Sequence, residues 1–260
     1  LSYPTLAEQQ RENFERCAEM TEHIRLLQPN GVTVSIGGEI GEVGKKNSTV
    51  DELRAYMDGY LAAIRARGVA TGISKISVQT GTSHGGVPLP DGSVAAVKLD
   101  FDCLEALSRA ARDDYGMSGA VQHGASTLPE EAFDHFPRRG ASEIHLATGF
   151  QNLIYEHPRF PADLRVRIYE HLTRTCADER KSGETDEQFL YKTRKKGFGP
   201  FKRELWEMEP GPRQAIASDL EARFGLLMRK LGVSGTRAAV DRLVRIPPPS
   251  GSAPAGLAEG

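Results

Sequence analysis

The chain has 260 residues, with 33 Lys plus Arg against 35 Asp plus Glu and a formal charge of −2. That length suits one large α/β domain or two small ones, and 39% apolar with 26% charged residues excludes wholesale disorder. The even charge balance argues against a dedicated nucleic-acid binder, and no stretch approaches the roughly 18–20 apolar residues of a membrane span. Cys17, Cys103 and Cys176 are far apart and odd in number. They form no disulfide framework and no CxxC zinc knuckle, so a reducing cytoplasm is expected. Leu1-Ser2-Tyr3-Pro4 is neither a signal nor a transit peptide. The start is expected to be processed, or to lie inside a longer polypeptide.

Residues 6–28 read as a helix, with Leu6, Phe14, Cys17, Met20, Ile24 and Leu27 on helical spacing. Pro29-Asn30-Gly31 stops it. The β-branched run Val32–Ile36 predicts a strand, and Gly37, Gly38, Gly41 and Gly44 a glycine-rich loop. Thr49 and Glu52 form a capping box for a helix over 50–67, ended by Gly68. The unit then recurs. Ile73–Val78 is a strand, residues 80–86 its loop, 88–92 a turn and 101–114 a helix. Gly119–Gln122 is a third strand with His123-Gly124-Ala125-Ser126 as its loop. Thr127, Pro129 and Glu130 start the next helix. Ser142–Ala147 is a fourth strand, followed by Thr148-Gly149 and a helix from about 150.

Successive strand–loop–helix units imply parallel strands, in a doubly wound sheet or a (β/α)8 barrel. Glu39, His84, His123 and His145 fall at or just past strand C-termini, the edge where either fold binds ligands. Residues 177–215 are dense in charge and poor in periodicity. Lys192, Arg194, Lys195, Lys196, Lys202 and Arg203 lie among Tyr191, Phe198 and Phe201. Flanking acidic residues favour a solvated face there over a phosphate or nucleic-acid patch. Ile216, Leu220, Phe224, Leu227 and Leu231 make 216–231 an amphipathic helix, 235–245 is another, and 246–260 is a tail expected to be disordered.

His84 and His123 each follow a β-run and precede Gly. A strand end holds a ligand firmly, and the glycine admits substrate close to the backbone. Neutral imidazoles from separate strands plus a carboxylate such as Glu39 suit Zn2+. An ordinary loop histidine is the alternative at each position. His145 sits in an apolar run and reads as a satisfied buried histidine. His23, His135, His157 and His171 read as surface or helix residues. Gly124-Ala125-Ser126 and Thr148-Gly149 each precede a helix, and such N–H groups with a hydroxyl make a phosphate cradle.

These pieces together resemble the C-terminal half of a class II, metal-dependent fructose-bisphosphate aldolase. Pro4–Asn13, Gly38-Glu39-Ile40-Gly41-Glu42-Val43-Gly44, Gly81-Thr82-Ser83-His84-Gly85 with Leu99-Asp100-Phe101, and His123–Glu130 carry the resemblance in order, over about residues 1–172. It implies strands five to eight of a TIM (β/α)8 barrel over 1–176, with a helical C-terminal extension over 177–245. It implies His84 and His123 as zinc ligands with Glu39 near the metal. Gly85, Gly124, Ser126 and Thr148 would line the phosphate and ketose site. The metal would polarise the ketose carbonyl of a substrate such as fructose 1,6-bisphosphate, with no lysine Schiff base.

The chain also departs from the family pattern. Gly44-Lys45 replaces the glycine pair before the acidic base, Lys46 and Asn47 stand at the acidic positions, His145 and Ala147 replace an Asn and an Asp, and no Lys follows His84 closely. The first four strands are missing, and with them a further zinc histidine and the catalytic Asp. The catalytic group is therefore unassigned, with Glu42 one substitute for the base. A lyase acting on a phosphorylated ketose is the leading expectation. A non-catalytic aldolase-like subunit, of the kind that accompanies some tagatose-bisphosphate aldolases, is the alternative, and a related lyase with another substrate is a third. A homo-oligomer, or a partner supplying the missing half, is expected to complete the barrel.

Overall fold

The computed structural model describes residues 3–41, 46–81, 99–126 and 128–244. Helix α1 spans Leu6–Leu27, capped by Thr5 with Glu8 closing the box. Strand β1 is Gly37–Glu39, α2 is Val50–Ala66, β2 is Lys75–Val78 and α3 is Phe101–Asp113. Strand β3 is Ala120–Gln122, a 3-10 turn covers Glu130–Asp134, α4 is His135–Arg138 and β4 is Glu143–Ile144. Helices α5 (Thr148–Glu156), α6 (Ala162–Thr175), α7 (Asp186–Thr193), α8 (Lys202–Trp206), α9 (Pro210–Lys230) and α10 (Arg237–Leu243) complete the described chain.

The Thr49 box forms as the sequence predicts. Thr49 Oγ1 accepts from the Glu52 amide at 3.2 Å, and Glu52 Oε2 accepts from the Thr49 amide at 2.8 Å. Two orphan donors of α2 are thereby satisfied. Thr49→Ala is expected to cost about 1 kcal/mol in urea unfolding. Thr49→Ser should restore most of it, and equal stability of all three proteins would refute the cap's role.

The four strands form one parallel sheet in chain order, β1-β2-β3-β4. One face is apolar. Ile40, Ile76, Val78 and Ala120 meet Leu53, Tyr56, Met57, Leu104 and Leu107 of α2 and α3 in the main core. Helix α1 packs outside α2, where Gly59 allows close approach: a Cβ there would lie 2.4 Å from Phe14. Thr21 Oγ1 and Tyr60 OH, 2.9 Å apart, satisfy each other inside that contact.

A second core joins Tyr155, Phe160, Leu164, Ile168, Leu172, Phe189, Met208 and Ile216. Helix α9 bridges the two, placing Ile216 in the second core and Leu227 in the first. It begins at Pro210, six residues before the amphipathic stripe, because proline is well accommodated in a first helical turn. Between residues 177 and 215 the charged stretch folds into several short helices. None is long enough to show a period, yet Phe189 and Met208 are buried. Many of its cations are paired, Lys192 with Glu184 at 2.7 Å and Arg203 with Glu207 at 3.0 Å. Arg194 is itself buried, against the expectation of a solvated face.

The strands correct the sequence reading in position. Val32–Ser35 lie outside the ladder, whose first bonds run from Ser74 N to Ile36 O. Strand β1 instead occupies Gly37–Glu39, within the segment read as a loop. Its neighbour β2 begins only at Lys75, so β-branched residues further upstream have no partner to pair with. Strand β4 is two residues long rather than six because β3 is itself only three residues long; single bonds from Ser142 N to the Ala120 carbonyl and from His145 N to the Gln122 carbonyl flank it. The helix expected after Thr127 is a 3-10 turn followed by the short α4, with Pro129 as a cap without side-chain hydrogen bond. Thr127, the 88–92 turn and the 246–260 tail lie outside the described residues.

Candidate functional site

Register determines which side chains share a face. Glu39 pairs with Ser77, Ser77 with Val121 and Val121 with Glu143. These point away from the helix-covered core, as do residues two positions along each strand direction: Lys75, His123 and His145. Strands β1, β2 and β4 and the residue just past β3 thus put polar side chains on one face. The sheet's C-terminal edge gathers Glu39, His123 and His145.

His123 Nδ1 lies 3.9 Å from Glu39 Oε1. The His123 side chain is 20% exposed and that of Glu39 53%. The rings of His123 and His145 stack, with centroids 4.6 Å apart and planes inclined by 30°. His145 is not the buried histidine that its apolar run suggests. Its side chain is 53% exposed, because β4 is an outer strand and ends at Ile144. Its Nε2 lies 3.0 Å from Glu143 Oε2. The other Glu143 oxygen accepts a hydrogen bond from Lys75 Nζ. Burial pushes the Glu143 carboxyl up, but the hydrogen bonds from Lys75 and His145 together outweigh it and hold its pKa below the ordinary range.

Lys75 and Glu143 were not legible as site residues. The available signal was the alternation of Glu143 and His145, two polar residues on one strand face. Gln122 was also missed. It is fully buried, accepts from Thr80 Oγ1 at 2.6 Å and donates through Nε2 to the His123 carbonyl at 2.5 Å. It thereby ties the His123 turn to β2. Asn13 of α1 likewise donates to the Glu39 carbonyl at 2.8 Å, securing the end of β1.

After His123 the chain turns at Gly124, whose φ of +71° disfavours any side chain. Ser126 Oγ accepts from the Ala147 amide at 2.9 Å, next to the start of α5 at Thr148. A Cβ at Gly149 would lie 2.8 Å from the Ser126 carbonyl oxygen, so the two loops meet closely. The sheet thus brings together His123, Glu39, Gly124, Ser126 and Thr148 of the expected site. His84, Gly85 and Glu42 lie outside the described residues. Of the residues at the expected base position, Lys46 pairs with Glu52 at 2.6 Å and Asn47 donates to Asp100 at 3.1 Å. Among the described residues, no group of three or more His, Cys, Asp or Glu could hold a metal ion.

Of the histidines outside this edge, two match the sequence reading and one departs from it. His23 and His135 are exposed, as expected. His157 is buried, with Nε2 3.2 Å from Asp219 of α9 and Nδ1 accepting from the Arg159 amide at 3.0 Å. It pins the end of α5 to α9. No described helix is long and apolar enough to cross a membrane.

The chain is similar in structure to a probable tagatose 6-phosphate kinase from Sinorhizobium meliloti 1021, with a TM-score of 0.53 and 18% identity, covering 88% of this chain and 61% of that one. A protein described as a fructose-1,6-bisphosphate aldolase from Coccidioides immitis gives a TM-score of 0.43 at 16% identity, covering 87% and 60%. The fructuronate-tagaturonate epimerase of Cohnella laeviribosi gives 0.43 at 12% identity, covering 83% and 49%. The chain therefore spans about half to three-fifths of the structures it matches. No curated protein matches it by sequence. The family signal is direct: residues 6–196, which hold the whole sheet and its polar edge, match the family described as fructose-bisphosphate aldolase class-II. By that match, over most of its length, this chain belongs to the class II fructose-bisphosphate aldolase family.

Proposed function

We propose that this chain supplies strands five to eight of a (β/α)8 barrel and serves a metal-assisted aldol cleavage or condensation of a phosphorylated ketose, such as fructose 1,6-bisphosphate. The observation that carries the reading is the meeting of His123 and Glu39 at the C-terminal edge of a parallel sheet in a chain of this family. The outer strands β1 and β4 each have one unpaired edge among the described residues. A preceding segment or a second chain would pair with them and complete the barrel.

An imidazole just past β3 and a carboxylate at the end of β1 are the mixed donors that Zn2+ or another divalent cation accepts. His123 and Glu39 would hold it, with His84 joining them. When bound, the ion supplies Lewis acidity toward a ketose carbonyl. The rest falls to the chain's own groups. The Ser126 hydroxyl and the first N–H groups of α5, at Thr148, would bind a phosphate group. Gly124, and Gly85 by its place in the motif, would let the ligand approach the backbone. Gln122 keeps the His123 turn in place while this happens. A cytoplasmic setting is part of the same reading.

The test is cleavage of fructose 1,6-bisphosphate by the full polypeptide, with its barrel-completing half present, before and after chelation. Turnover that stops with chelator and returns with Zn2+ is expected. Metal and sugar-phosphate binding without any turnover would reject the lyase reading in favour of a non-catalytic relative.

A further inference from the structure

Lys75 and Glu143 have no part in the function proposed above, yet they are joined across the sheet. Lys75 sits on β2 and Glu143 on β4, with β3 between them. To reach Glu143, the lysine side chain must lie along the sheet surface. Its neighbour on β1 is Gly37, which leaves room: a Cβ there would lie 3.2 Å from Lys75 Cγ. The lysine side chain is only 18% exposed, so this is not a loose surface pair.

The far oxygen of the same carboxylate lies 3.0 Å from His145 Nε2. An ionised carboxylate can only accept a hydrogen bond, so Nε2 must carry the proton. The His145 ring is further restrained by its stack on His123. A half-exposed histidine held at both its Nε2 and its ring face has little freedom left. In the neutral ring the remaining nitrogen, Nδ1, then carries a lone pair, and it makes no hydrogen bond among the described residues.

We propose that Glu143, anchored by Lys75, is a positioning residue that locks His145 in its Nε2–H tautomer and so presents Nδ1 at the sheet's C-terminal edge as an acceptor for a ligand hydroxyl. The hydroxyl-bearing ligand rests on the sugar-phosphate reading above. The tautomer lock does not. A hydroxyl donates to that lone pair, whereas a carbonyl or ether oxygen in the same place cannot.

The experiment is 15N–1H NMR of the imidazoles in the metal-free full chain at pH 8, where an ordinary imidazole is neutral. Wild-type His145 should show the Nε2–H tautomer alone. Glu143→Ala should give a tautomer mixture and Lys75→Met a partial one. Glu143→Gln should fail to restore the lock: Lys75 claims its one carbonyl oxygen, and its NH2 then donates to Nε2 and favours the Nδ1–H tautomer. Amide spectra check that each variant is folded. An Nδ1–H tautomer in the wild type, or no change in folded Glu143→Ala, overturns the proposal. The same variants, with Zn2+ and the barrel-completing half supplied, are titrated with fructose 1,6-bisphosphate. Glu143→Ala should bind about threefold to tenfold more weakly, because the ring is no longer held and only part of it is in the accepting tautomer. Wild-type binding left unchanged by Glu143→Ala overturns the acceptor role. Absence of wild-type binding rejects the sugar-phosphate reading, and the tautomer spectra still decide the lock.

Discussion

His123→Ala is expected to weaken divalent-cation binding by more than about 100-fold. Loss of a group that merely supports a metal ligand typically costs 10–100-fold, so loss of a direct nitrogen donor should cost more. The sheet places His123 Nδ1 3.9 Å from Glu39 Oε1, and buried Gln122 holds its backbone in place. Titration of Zn2+ against a chromogenic chelator reads the effect directly. His171→Ala, on α6 and remote from the sheet edge, is the control and should bind as the wild type does. If His123→Ala binds within threefold of wild type, the ion is held elsewhere and the proposed site is wrong.

Phe133→Ala should destabilise the fold by about 3–5 kcal/mol, the usual cost of truncating a fully buried phenylalanine. Phe133 is 0% exposed, and its ring centroid lies 5.9 Å from that of Phe136. The Arg223 guanidinium of α9 lies over it, 5.7 Å from the ring centroid. Two ion pairs flank the contact, Arg223 with Glu130 at 2.7 Å and Lys230 with Asp134 at 2.8 Å. They are partly exposed and individually weak, so the ring provides most of the hold between the segment after β3 and α9. With typical domain stabilities of about 5–15 kcal/mol, the loss would be a large fraction of the total. Urea unfolding measures it, and Phe133→Leu should lose clearly less. A cost below about 1 kcal/mol for Phe133→Ala would mean that α9 is not packed on this segment as described.

The site was partly legible in the sequence. His123 and Glu39 stood out because each follows a β-run and touches glycine, and the family motifs placed them together. Lys75, Glu143 and Gln122 did not, since a lysine starting a strand or a glutamine ending one looks the same in most sequences. Their partners are distant along the chain: Lys75 and Glu143 are 68 residues apart, and Thr80 and Gln122 are 42 apart. His145 and His157 illustrate the same limit in opposite directions. An apolar run suggested burial for the first, and the second read as a surface or helix residue. The edge position of β4 exposes one, and the packing of α9 buries the other.

The sequence by itself determined what depends on neighbours a few residues away. Capping boxes at Thr5, Thr49 and Thr185 set three helix starts through bonds spanning three residues. The recurring strand–loop–helix pattern determined a parallel sheet, and ordered motifs determined the family. Only the tertiary structure decided where pairing begins and ends along each strand, because a β residue is ordered by a partner on another strand. It alone decided that the charged segment after residue 176 would help close a second core, since that burial depends on α6 and α9 arriving from either side. And it alone linked β2 to β4 through Lys75 and Glu143, a contact that exists only once the register of all four strands is set.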